Sequence, residues 1–275
     1  MKGKARTKLL DHSAGLVEGF SSGPSWDFIY QTSTVKHPDF NIGDRVALPD
    51  GRVFRYSKVG SLTVLTNYGA AYEKKVNAYA VAPAQGTDAG AVGDWKVSMT
   101  VASPFGLLGT GVLAENELRG GYVVIGHNTD NPQTRGIVGH PALAAAGILT
   151  VDLDASLVTA VTVGTTGIEA MGNPYGQLIN TGGAGEYMAF LGVPAVGATT
   201  GQHFWLQTWG PVWIVSDGNT CDGLGDRTIY FMSNGSVKSG NDVTIESGFQ
   251  MAGFAMDRSG LAASNSPLVM LQISP

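Results

Sequence analysis

Few side chains in this sequence have the type and spacing to do chemistry. Cys221 is the single thiol, and with His203 and Asp217 it offers the residue types of a nucleophile, its general base and an orienting carboxylate. Nearness in sequence is not the geometry a triad requires, and one Cys in a Gly-rich loop reads as an inert thiol. His127, Asp130 and His140 flank a strand pair whose turn could gather two imidazoles and a carboxylate as metal ligands. His140-Pro141 reads equally well as a strand end entering a turn. Asp217 to Gly223 brushes against the calcium-loop pattern. It is not an EF-hand, because Cys221 stands where an oxygen ligand belongs, Asp222 where Gly is required and Thr228 where the closing Glu belongs.

Asp152 and Asp154 share one face of a strand, and a glycosidase would need two such carboxyls facing each other across a cleft. Val151 and Leu153 occupy the opposite, core-facing positions, so the pair reads as the solvated side of an edge. The chain has no G-x-S-x-G elbow, P-loop, H-E-x-x-H or dinucleotide fingerprint. The expectation is a non-enzymatic protein with no cofactor. The sharpest anomaly is aromatic: Phe204, Trp205, Trp209 and Trp213. Such a cluster can stack on sugar rings, but it serves more often as core or as a subunit contact. The four-residue spacing of Trp205, Trp209 and Trp213 puts them on one strand face only if no bulge intervenes, and Gly210-Pro211 predicts a break.

The elements that must position these groups are strands. Of 275 residues, 43% are hydrophobic and only 14% charged, and most of the 39 glycines sit in short clusters between β-type runs. Ile42 to Gly60 holds two alternating runs around Pro49-Asp50-Gly51, a tight hairpin in which Pro presets φ, Asp bonds its own backbone and Gly tolerates positive φ. Trp95 to Val101 alternates strictly, which predicts Trp95, Val97, Met99 and Val101 on one face. Gly120 to Gly126 reads as a buried strand that Gly136 to Val138 pairs with across a polar turn. Strand patterns follow at 149–153, 157–163, 204–215, 227–232, 235–238, 243–245, 249–256 and 268–273. The spacing is that of a sandwich or barrel. Helix-favouring residues occur only at Pro141 to Gly147 and Ala70 to Val76, too short to change the class.

The predicted architecture is all-β, a multi-strand sandwich or barrel of two β lobes, 41–172 and 173–275, preceded by an extended N-terminal arm, 1–40. Gly172-Asn173-Pro174-Tyr175-Gly176 marks the internal boundary. The arm begins with Lys2, Lys4, Arg6 and Lys8, which fit an acidic partner surface or a solvated terminus. It then carries isolated aromatics, Phe20, Trp26, Phe28 and Tyr30. These serve either as anchors on a partner or as a strap on the chain's own domain. A net charge of −5 and a pI near 5.5 argue against nucleic-acid binding through global charge. The single Cys fits a reducing cytoplasm, and no run has the length of a signal-peptide core or a membrane span.

Four patches carry a resemblance: RVALPDGRVFRY (Arg45 to Tyr56), GGYVVI (Gly120 to Ile125), GNPYG (Gly172 to Gly176) and WLQTWGPVWI (Trp205 to Ile214). In these the chain resembles structural proteins of tailed-bacteriophage particles, best described as head-decoration or cement proteins. The resemblance implies a virion component made in the host cytoplasm. It implies a protein that binds the major capsid protein on the shell surface, as a homotrimer, and it assigns no catalytic residue. The alternative is a tail or fibre component that binds host glycans through the tryptophans.

Overall fold

A computed structural model describes residues 27–72, 80–81, 90–101, 112–126, 132–180, 189–218, 227–240, 249–257 and 266–275. The fold is all β, as the Gly-punctuated alternation predicts. Among the described residues there is no α-helix; one sheet curls into a half-barrel and another nearly closes into a barrel. The chain divides into two compact units, Met1–Glu73 with Tyr175–Pro275, and Lys74–Pro174. The smaller unit is thus an insertion, whereas the sequence suggested consecutive lobes. Residues 41–73 join the C-terminal part because strands on either side of the insertion pair with each other, a long-range contact that composition does not reveal.

The larger unit starts from the Pro49-Asp50-Gly51 hairpin, which joins β1 (Arg45–Ala47) to β2 (Val53–Lys58). Leu48 N donates to Arg52 O and Gly51 N to Leu48 O, while Asp50 accepts from both the backbone N and the Nε of Arg52. The Asx turn read from sequence is the turn that forms. β3 (Ala70–Tyr72) leads into the smaller unit, whose strands are β4 (Ala80–Val81), β5 (Lys96–Val101), β6 (Tyr122–Ile125), β7 (Gln133–Gly139), β8 (Gly147–Leu153) and β9 (Ile168–Met171). The chain returns in β10 (Leu178–Ile179), antiparallel to β3. There follow β11 (Phe190–Pro194), β12 (His203–Trp213), β13 (Thr228–Phe231), β14 (Val237–Ser239), β15 (Met251–Ala255) and β16 (Leu268–Gln272). These complete a ten-stranded sheet.

The long strand β12 is the spine of that sheet. Its first part pairs with β2, from His203↔Lys58 to Gln207↔Phe54, and is buried on both faces. Phe204 and Leu206 pack with Val59, Val64 and Leu178, while Trp205 packs on the other side with Ile29, Val46, Phe54 and Tyr56. The register then steps from Gln207↔Phe54 to Trp209↔Val53, which leaves Thr208 as an extra residue, a β-bulge. Beyond it β12 pairs with β16, and Val212 and Ile214 point into a third cluster with Ile229, Phe231, Val269 and Leu271.

Polar groups fix the bulge in place. Thr208 Oγ1 donates to Ser274 O at 2.6 Å, Ile273 N and Ser274 N donate to Thr208 O, and the buried Gln207 amide donates to Trp209 O and Pro211 O. Gly210 follows with φ +93°, against the backbone of Gly51 and Arg52.

The smaller unit is a six-stranded antiparallel sheet in the order β4-β9-β6-β7-β8-β5. Val97, Met99 and Val101 alternate into its core as expected, with Ile125, Leu149, Val151 and Ile168 from neighbouring strands. Trp95 departs from that expectation: it precedes β5 and is 56% exposed. β6 and β7 pair as predicted, Tyr122↔Gly136, but Tyr122 is exposed, so β6 is covered on one face rather than buried throughout. Residues 157–163 form no strand; Leu157 and Val161 plug the core from a loop. Pro141 to Gly147 forms no helix, and Leu143 bridges to Leu113. The expected strand at 243–245 and the end of the 70–76 segment lie outside the described residues.

Replacing Gly210 by Ala tests how much the bulge matters. The new Cβ would sit 2.9 Å from Arg52 Cα in a backbone conformation that L-residues avoid. Gly51, with φ +86° and open space around it, isolates the conformational share alone. Urea unfolding should show Gly51→Ala costing about 1 kcal/mol and Gly210→Ala about 2–3 kcal/mol. Equal costs would mean that the contact with Arg52 carries no weight.

Candidate functional site

The structure does not bring His203 and Asp217 together. His203 opens β12 and Asp217 lies beyond its far end, on the order of 30 Å along the strand. Asp217 instead lies 3.7 Å from Lys238. Cys221 falls outside the described residues, as do His127 and Asp130. His140 is buried with both ring nitrogens engaged: Nε2 accepts from Leu118 N at 2.8 Å, so the proton sits on Nδ1, which donates to Pro141 O. Neither nitrogen is left for a metal. Among the described residues no three His, Cys, Asp or Glu side chains come close enough to hold an ion. Asp152 pairs with Lys96 at 3.2 Å, and Asp154 accepts from Gly136 N. Both carboxylates serve the sheet rather than a cleft.

The described part of the arm lies on its own domain. Ser33 and His203 exchange both backbone hydrogen bonds, Phe28 and Phe40 meet the Trp205 ring edge-on at 5.5 and 4.9 Å, and Ile29 is 1% exposed. Phe28 therefore belongs to the chain's own core. Tyr30 is exposed, with its hydroxyl accepting from Arg52. Lys2, Lys4, Arg6, Lys8, Phe20 and Trp26 lie outside the described residues. The clasp has one unsatisfied group. His203 stacks on Tyr56, ring centroids 5.6 Å apart, and its buried Nδ1 has no partner among the described residues. Burial, then Lys58 and Lys36, lower its pKa against the Ser33 backbone, while burial raises that of Tyr56 despite the His37 N–H that its hydroxyl accepts.

The three tryptophans are separated, by the bulge at Thr208 rather than by a break at Gly210-Pro211, through which β12 pairs with β16 without interruption. Trp205 is inside at 3% exposure, Trp209 is half-buried and Trp213 is 47% exposed. The last two open an apolar face that runs across four strands in register. Trp213 stands opposite Leu268, and Met256 N bonds Leu268 O. In the next row Pro211 faces Met270, Met270 faces Phe254, and Phe254 faces Thr228. A third row sets Met251 against Tyr230. β12, β13, β15 and β16 contain no Asp, Glu, Lys or Arg.

A second bulge shapes this face. The pairing of β13 with β15 shifts between Ile229 and Tyr230, which leaves Ala252 and Gly253 both buried and turns both Met251 and Phe254 outward. Gly253, at φ +150°, permits it, because a Cβ there would run into Met270 O. Sequence reading singled out Trp209 and Trp213 but missed Phe254, Met256, Leu268 and Met270. The available signal was the apolar character of the outward positions Met251 and Phe254 of MAGFA and Leu268 and Met270 of LVMLQ, where a half-buried strand would normally show polar residues. No helix among the described residues is long and apolar enough to cross a membrane. No protein-family model, curated protein or solved structure matches the chain.

The clasp makes a pH prediction. With the His203 pKa lowered in the folded state, the unfolded chain takes up the proton first as pH falls below about 6.5. The contribution of His203 to stability is therefore constant above that pH and declines below it until the folded pKa is passed. Urea midpoints measured from pH 8 to 5 should fall more steeply for the native chain than for His203→Phe. Parallel curves would show that the imidazole is not held neutral.

Proposed function

We propose that this chain is a non-enzymatic structural protein of a tailed-phage particle, a decoration or cement protein that lies on the capsid shell and stabilises it through contact area. The observation that carries the reading is the broad uncharged face of the larger unit. Such a surface works by burial, here between copies of the chain within the coat, and a coat that binds the assembled shell alone stabilises it by mass action. The resemblance in the hairpin and in the β12 segment supports the phage setting. Its shell partner is the major capsid protein, and nucleic acid and membrane play no part in attachment. The arm's share in attachment falls to Tyr30 and to residues 1–26, since Phe28 and Ile29 are committed to the chain's own core.

The outward placement of Trp209 and Trp213 favours one second reading, a tail or fibre component that stacks host sugars on these rings. Trp205 cannot contribute, because it is buried.

Adding purified chain to particles stripped of it separates the readings. The decoration protein should coat the shell in saturating, stoichiometric amounts and raise the temperature at which the particles open. Binding confined to the tail, or specific glycan binding abolished by Trp213→Ala, would instead establish the second reading. No binding to particles would remove the phage assignment.

A further inference from the structure

We propose that the outward face of β12, β13, β15 and β16 seats a second copy of this chain, packed across a two-fold axis to form a dimer. The inference stands on the face itself, does not depend on the phage setting, and departs from the homotrimer that the resemblance implies.

The first argument is composition. Protein interfaces are rich in Trp, Tyr, Phe and Met at their centres and poor in charge, and this face has that make-up. Trp213, Phe254, Met256, Met251 and Leu268 are 40–48% exposed, unusual for such side chains standing together on consecutive strands. They stand in registered rows rather than singly, so they form one patch.

The second argument is area. With roughly 150–250 Å² per large side chain, these five and their half-buried neighbours Trp209, Pro211, Met270 and Tyr230 offer on the order of 600–700 Å² of apolar surface. A standard interface buries about 800 Å² per partner, so the patch with a modest rim suffices for a stable dimer.

The third argument concerns what could match it. A centre without charge gives an acidic or basic partner nothing to pair with. The same surface is its own complement, because a two-fold axis brings the apolar patch of one copy onto that of the other. The rim agrees with this. Lys238 beside Asp217 borders one margin, and the exposed Arg227 and Asp257 border another. Each margin carries both signs, so two identical rims meet without net repulsion.

The geometry is also built in. Two bulges, at Thr208 and at Ala252-Gly253, bring these residues outward, and both are secured by hydrogen bonds or by a glycine that nothing larger can replace.

Light scattering and sedimentation of the full chain at micromolar concentration test this. The expected mass is twice 28.6 kDa. Phe254→Lys and Met256→Lys, both at exposed sites, should weaken association by roughly 100-fold or more while the dissociated chain keeps its β circular-dichroism spectrum. Ile148→Lys, equally exposed on the smaller unit, should leave the dimer intact. A monomer at every concentration, a trimeric mass, or a dimer indifferent to both Lys variants would overturn the proposal. If the chain is monomeric and the Lys variants fail to coat particles, the face belongs to a shell protein and the dimer is again refuted. Failure of particle binding with the dimer intact would strike only the decoration reading.

Discussion

One extra residue in the middle of one strand governs the larger unit. Before Thr208, β12 is covered on both faces, with Phe204 and Leu206 in one cluster and Trp205 in another. After it, the strand is covered on one face only, and the other presents Trp209, Pro211 and Trp213 to solvent. An unbroken strand would carry Trp205, Trp209 and Trp213 on the same side. The bulge instead divides them between core and surface, so a single strand both seals the sheet and displays it. Its hydrogen bonds reach Ser274 near the C-terminus, and the glycine beside it lies against the β1–β2 hairpin. Hairpin, spine and terminal strand are therefore locked by one irregularity.

Much of this was legible from local pattern. The Pro49-Asp50-Gly51 turn, the alternation from Val97 to Val101, the pairing of β6 with β7 and the strands β12 to β16 follow from periodicity and turn chemistry, whereas β10 and β11 did not show in the pattern. The break at Gly172 to Gly176 falls where the insertion ends. The insertion itself was not legible, since the pairing of β3 with β10 spans the whole smaller unit and leaves no mark in composition. Residues 157–163 look like a strand because Leu157 and Val161 are core residues, yet a loop delivers them to the core equally well.

The pairing of His203 with Asp217 fails for a physical reason. Sequence proximity placed His203 near Asp217, but an extended strand carries such neighbours far apart rather than together. The ring of His140 is spent bracing the backbone of Leu118 and Pro141. The tryptophans were the informative residues, but Gly210-Pro211 pointed to a break that the strand makes earlier, at Thr208. Their surface neighbours went unnoticed because outward apolar residues on β15 and β16 look, residue by residue, like more core.

The proposed function rests on the covering of surface. Hydroxyl-radical footprinting of the full chain, dilute and then in its assembled state, measures that coverage side chain by side chain. The prediction is strong protection of Trp213, Met251, Phe254 and Met256 on assembly, with Trp95 and Ile148 of the smaller unit unchanged. Equal reactivity of the four in both states would contradict the account.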